Sequence, residues 1–173
     1  MGFTAAGIQP TTVTNESAAG KDDASQLAPL GFEMTAPDGD NGLQTWIYVK
    51  AGEAIEKGDI CIRKTTSQTY EVVLNPGDAD VSAIRVVGVA QHDIGDNGYG
   101  FVMKKGIGVV QKDNAAINAD DQSLICTDAS TDHKGRACVD SGGGTSDVFA
   151  ISLTQDANTA GGELITAHFN CIG

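Results

Sequence analysis

Aromatic residues, basic residues and long apolar runs are all scarce in this chain. Aromatics make up 5% of its 173 positions, which leaves few flat faces for stacking bases or sugars. Eleven Lys and Arg stand against 23 Asp and Glu, for a net charge of -12. Such a surface repels phosphate, and the only adjacent basic pairs, Arg63-Lys64 and Lys104-Lys105, are too small to offset it. Nucleic acid is therefore not an expected partner. No stretch reaches the roughly 20 apolar residues of a membrane span, so no membrane is expected either. The opening MGFTAAGIQPTTVT lacks the basic and apolar regions of a secretory signal, which predicts a soluble protein made in the cytoplasm.

Matched catalytic or metal-binding sets are also missing. Cys61, Cys126, Cys138 and Cys171 stand singly, without CxxC spacing, and read as buried thiols of a reducing compartment. Asp140-Ser141-Gly142-Gly143 resembles the nucleophile motif of chymotrypsin-like proteases, and Thr166-Ala167-His168 their histidine motif. The order is reversed, however, with His168 following Ser141 instead of preceding it. The acidic loops at Asp38 to Gly42 and Asp93 to Gly98 offer oxygen ligands. Neither completes a calcium loop, since Val49 stands where the bidentate Glu is needed after Asp38. His92, His133 and His168 have no zinc spacing. The Gly142 to Ser146 loop lacks the Lys-Ser/Thr of a phosphate cradle. No catalysis, metal or cofactor is expected.

What the chain does have is alternating apolar sequence punctuated by Gly, Asn and Asp. Residues 1 to 42 show no sustained period and read as an extended arm, with isolated apolar anchors at Phe3, Ile8, Val13, Leu27, Leu30, Phe32 and Met34. Residues 43 to 173 read as one domain. Strands are predicted at Leu43 to Val49, Ile60 to Lys64, Tyr70 to Leu74, Ser123 to Asp128, Gly135 to Asp140, Val148 to Thr154 and Glu163 to Ile172. Asn75-Pro76-Gly77-Asp78 is a strong turn. Ile84 to Gln111 reads as a hairpin around Asp96-Asn97-Gly98. A helical turn or two is allowed near Asn114 to Ala119. Eight to ten short strands with almost no helical period predict an all-β fold, a compact β-barrel or β-sandwich.

The pattern also begins again about 62 residues on. Ala54-Ile55 and Ile60-Cys61 are echoed by Ala116-Ile117 and Ile125-Cys126, and Val86 to Ala90 by Val148 to Ser152. Phe101-Val102-Met103 is set against Leu164-Ile165-Thr166. A duplicated β motif accounts for these echoes.

Three runs together carry a resemblance: Ala54 to Ile60 with its "I..GD" connector, the "VVGVA" strand Val86 to Ala90, and Gly106-Ile107-Gly108-Val109-Val110. With the turn Ala160-Gly161-Gly162 before a last strand, they are similar to the decoration, or cement, proteins of tailed-bacteriophage capsids, over roughly residues 50 to 172. The resemblance implies a structural virion protein that binds the outside of an assembled capsid, with the major capsid protein as partner. It also implies a homotrimer at local threefold positions and no catalytic residues. On that reading the arm anchors Phe3, Ile8, Val13, Leu27, Leu30, Phe32 and Met34, with Lys104 and Lys105, are expected capsid contacts that bridge neighbouring subunits. The competing class is a carbohydrate- or receptor-binding β module, whose site would draw on Trp46, Tyr48, Tyr70 and Tyr99.

Overall fold

The computed structural model describes residues 8–15, 25–64, 70–74, 85–113, 116–117, 121–126, 134–139, 148–156 and 161–172. Ten strands are present among them: β1 Glu33–Asp38, β2 Gly42–Ala51, β3 Ile60–Arg63, β4 Glu71–Val73, β5 Val86–Ala90, β6 Tyr99–Gln111, β7 Ser123–Cys126, β8 Ala137–Val139, β9 Val148–Ser152 and β10 Leu164–Asn170. They form one sheet in the order β1-β2-β4-β3-β5-β6-β10-β9-β7-β8, and β2 also pairs with β6. No α-helix occurs among the described residues. The all-β expectation holds.

The pairing follows two rings that share β6. In the first, β2, β4, β3, β5 and β6 pair in succession, and β6 returns to β2 through Trp46↔Met103 to Lys50↔Tyr99. In the second, β6, β10, β9, β7 and β8 pair in succession, and a parallel bridge between Lys112 and Ala137 leads back to the end of β6. Thirteen residues make β6 long enough to serve both, its first half facing β2 and its second half β10. Gly106, at φ 120, lies near the change of partner, where only a residue without Cβ adopts such a backbone at ease.

The two rings repeat each other through most of their pairing. Ile60↔Val89, Cys61↔Gly88 and Ile62↔Val86 in the first correspond to Ser123↔Ile151, Leu124↔Ala150 and Ile125↔Val148 in the second, with the register shift at the same place. The mutual backbone bonds of Ile55 and Ile94 recur between Ile117 and Asp156. Gly58, at φ 94, donates to Ala90 O, and Asp121, at φ 62, donates to Ser152 O. Ala90↔Val102 corresponds to Ser152↔Ala167, so Phe101 to Met103 matches Thr166 to His168. The sequence echo with Leu164 to Thr166 was two residues out of register. Alternating strands tolerate a slip of two without moving a side chain to the other face.

Burial follows the rings. β2 is buried on both faces from Trp46 to Val49: Ile47, Val49 and Ala51 join Ile55, Cys61, Val72, Val87, Ile94 and Val102, while Trp46 and Tyr48 join a larger cluster. That larger cluster runs through Phe101 and Met103 into Phe149, Ile165 and Phe169 of the second ring. Each fully buried side chain of this size contributes about 1.5–3 kcal/mol, so β2 and β6 are the strands whose loss the fold could least absorb.

Three local expectations change. Asp96-Asn97-Gly98 does turn, with Asn97 at φ 57, but β5 and β6 are not joined by a tight hairpin. The connection is drawn out because Ile94 is buried and pairs with Ile55. Within the stretch 1 to 42, β1 pairs antiparallel with β2 from Glu33↔Ile47 to Asp38↔Gly42. Pro37 is accommodated because β1 is the edge of the sheet. In place of the helical turn near Asn114 to Ala119, Ile117 forms a β-bridge, while 114, 115 and 118–120 lie outside the described residues. The turn at Asn75 to Asp78, His133, the Asp140 to Gly143 motif and the Gly142 to Ser146 loop also lie outside them.

Candidate interaction surface

The arm anchors are drawn largely onto the chain's own core. Ile8 and Ala28 are buried in the larger cluster, where Leu30, Phe32 and Met34 pack half-buried. Phe32 meets the Phe101 ring edge-on at 6.5 Å. Val13 packs on the inner cluster of the first ring, and Thr14 exchanges backbone bonds of 2.9 and 2.8 Å with Tyr99. Leu27 lies at the surface, 46% exposed, its N–H donated to the Tyr48 hydroxyl at 3.0 Å. Phe3 is outside the described residues. Lys104 is mostly covered and pairs with Glu33 at 2.7 Å. Lys105 is exposed. Of the predicted contacts, Leu27 and Lys105 therefore face solvent in this chain.

Lys105 sits at one end of a cleft of about 390 Å³ lined by Val148, Ile151, His168 and Asn170. Ile151 and Leu164 are exposed on the outer side of β9 and β10, and Leu153, just past the end of β9, is exposed as well. Sequence reasoning overlooked this face. Its signal was the alternation of β10, in which Leu164, His168 and Asn170 point out while Ile165, Ala167 and Phe169 point in. The corresponding residues of the first ring, Tyr99, Met103 and Val89, are half-buried or buried.

Two ionisable sites distinguish the rings. Lys112 corresponds to Ala51, and both are fully buried. Its ammonium lies 3.3 Å from Asp156 and 3.4 Å from Glu163, so an ion cluster occupies the place where the first ring has Ala51 and Ile94. Asp59, 5% exposed, accepts the Glu56 N–H at 2.7 Å in a tight connector. Burial pushes its carboxyl up to about 6, and Glu56 and Glu53 add to the rise while that hydrogen bond and Arg136 oppose it. Asp59, Glu56, Lys134 and Arg136 line a cleft of about 220 Å³.

Cys61 and Cys171 are buried, and burial raises both thiols, to about 12 for Cys171. His92 is lowered by burial, and no cluster of three metal-ligating groups occurs among the described residues. Among the described residues the tyrosines and the tryptophan are not displayed as an open aromatic platform. Trp46 and Tyr48 are buried, Tyr99 stacks on Tyr48 at 6.3 Å, and Arg63 covers the Tyr70 ring at 4.4 Å.

No family model and no curated protein matches the chain. Among solved structures it superposes on a chain of the capsid of Myoviridae Phage XM1 with a TM-score of 0.53 and 11% identity, covering 89% of this chain and 99% of that one. It also superposes on the head fiber gp8.5 N base of bacteriophage phi29 with a TM-score of 0.50 and 14% identity, covering 73% and 94%. The fold is one found in phage particles. At these identities the likeness concerns the path of the chain and not its side chains.

Proposed function

We propose that this chain is a structural protein of a bacteriophage particle that binds the outer surface of the assembled capsid and bridges neighbouring capsid subunits, as a trimer. The observation that carries the reading is the match in fold with a phage capsid chain over 89% of this sequence. The short motifs shared with capsid decoration proteins, and the lack of any catalytic constellation among the described residues, support it. Leu27, Lys105 and the outer face at Ile151 and Leu164 are the contacts we assign: Leu27 and Lys105 are the exposed ones among the described arm anchors and hairpin lysines, and Ile151 and Leu164 are exposed apolar residues of β9 and β10. Three modest contacts per trimer multiply into stable retention on a lattice that presents matching sites.

The test is co-sedimentation of the purified chain with capsid shells assembled without it, alongside light scattering for its mass. Retention of the wild type, with at least a tenfold loss for Ile151→Asp/Leu164→Asp, is the expected result. A wild type that stays in the supernatant at micromolar shell subunits overturns the reading.

A further inference from the structure

The two rings differ at one edge. In the first ring the edge of β2 that faces away from β6 is covered by the segment leading into β1. Tyr48 N–H donates to Phe32 O, and Gly31 N–H donates to Tyr48 O, both at 2.8 Å. Phe32 and Met34 lay their side chains over the same cluster as Trp46, Tyr48 and Phe101. The match of Tyr48↔Phe101 with Val109↔Thr166 makes Val109 the counterpart of Tyr48, and Ile107 that of Trp46.

At Val109 no such strand is present among the described residues. Its N–H donates to Gln91 Oε1 at 3.0 Å, and its carbonyl accepts from Gln91 Nε2 at 2.9 Å. One side-chain amide thus makes the two bonds that main-chain groups make to Tyr48. Gln44 Nε2 donates to Ile107 O at 2.9 Å in the same way. Both glutamines border a cleft of about 370 Å³ that also includes Asp38, Trp46 and Ile107 to Val109. Trp46 is 6% exposed there, and its indole N–H has no acceptor among the described residues. A buried indole N–H normally finds a partner, so the cleft holds an unused donor. Ile107, Val109 and Thr166 are half-buried, whereas Trp46, Tyr48 and Phe101 are buried.

We propose that the β6 edge from Ile107 to Val109 accepts a strand from a partner: an extended segment with apolar side chains at alternate positions, which displaces the Gln91 and Gln44 amides. Its main chain bonds Val109 N–H and O, a carbonyl meets the Trp46 indole, and its apolar side chains cover Ile107, Val109 and Thr166. This is strand addition, in which backbone bonds supply affinity and alternate side chains supply selectivity. The occupant's chemistry is that of the segment on the matching edge, Leu30 to Ala36. Resting on the proposed function, the donor is a capsid subunit.

Two probes test it on the full chain. The first is a decapeptide with the sequence of residues 29–38, PLGFEMTAPD, titrated against the fluorescence of Trp46, the single tryptophan, and the Val109 amide resonance. The second is the shell co-sedimentation above. Expected are saturable changes at both reporters and about tenfold tighter peptide binding by Gln91→Ala, which removes the competing amide. Val109→Pro, which deletes an N–H facing away from β10, is expected to lose both peptide binding and at least tenfold of shell retention. Should Val109→Pro fail to fold, Gln91→Ala carries the test, because it leaves the main chain intact. An unchanged Val109 amide at saturating peptide, with Gln91→Ala retained on shells as the wild type is, overturns the strand acceptor but not capsid binding. If the wild type fails to sediment, the capsid donor is overturned, and a Val109 response to peptide still upholds the acceptor edge. A shift of Trp46 emission without one at Val109 means the peptide enters the cleft without pairing, and also overturns it.

Discussion

Replacing Asp59 by Asn should make the chain more stable at neutral pH and remove a component of its pH dependence. Asp59 is 5% exposed, and its carboxyl titrates near 6 in the folded chain instead of at 3.8. The folded state thus binds the proton more tightly than the unfolded state. Stability from this group is fully present below about 4 and is lost as pH rises toward and through 6. At about 1.4 kcal/mol for each tenfold change, the full difference is about 3 kcal/mol, and partial solvation brings the expected effect to about 2 kcal/mol. Asn keeps an oxygen for the Glu56 N–H, bonded at 2.7 Å in the wild type, without a charge to desolvate. The second ring already has neutral Gln122 at the corresponding place. Urea unfolding of both proteins from pH 4 to 7.5 gives the difference curve, in which the other carboxylates cancel. The variant's advantage should grow from about zero near pH 4 to about 2 kcal/mol above pH 6.5. A flat difference curve, or an advantage that shrinks with rising pH, would refute the assignment of Asp59 as a buried carboxylate desolvated at neutral pH.

The paired left-handed positions should respond in opposite directions. Gly58→Ala puts a Cβ 2.5 Å from Leu164 Cδ2 and 2.9 Å from the Gln111 backbone nitrogen at φ 94, and is expected to cost about 2–4 kcal/mol by urea unfolding. Asp121→Gly relieves a non-glycine residue at φ 62 and should gain about 0.5 kcal/mol in the same assay. Lys112→Ala removes the buried ammonium that lies 3.3 Å from Asp156 and 3.4 Å from Glu163 and should lower stability by about 2 kcal/mol. Adding Asp156→Ile, which restores the residues of the first ring, should recover at least half of that loss; a double variant no better than the single one would show that the rings are not interchangeable there.

Much of the fold was legible because nearly every strand after residue 42 carries its own alternation or buried apolar run. Leu43 to Val49 and Glu163 to Ile172 are read correctly by period, since side chains on a pleated strand must alternate between faces, and Val86 to Ala90, buried at all five positions, by its continuous apolar run. β1 was not legible. Glu33 to Asp38 contains Pro37 and only modest apolar residues, and it is a strand because β2 offers it an edge. Nor could the sequence separate anchors meant for a partner from anchors spent at home. Ile8, Phe32 and Met34 are spaced like adhesive contacts, yet they cover Trp46, Tyr48 and Phe101, which no local pattern links to them. The Gln91 and Gln44 bonds to β6 are hidden for the same reason, separated by 18 and 63 positions from the backbone groups they meet.

Because β6 belongs to both rings, the duplicated chain is not two beads on a string. A pull that enters through β2 and leaves through β10 meets continuous covalent backbone from Tyr99 to Gln111, flanked by antiparallel ladders on either half. Shear along this strand must break several hydrogen bonds at once instead of opening them one by one. On the proposed function, a shell under internal pressure would place that kind of demand on this chain. Duplication with a shared strand has turned a small sheet into a tie.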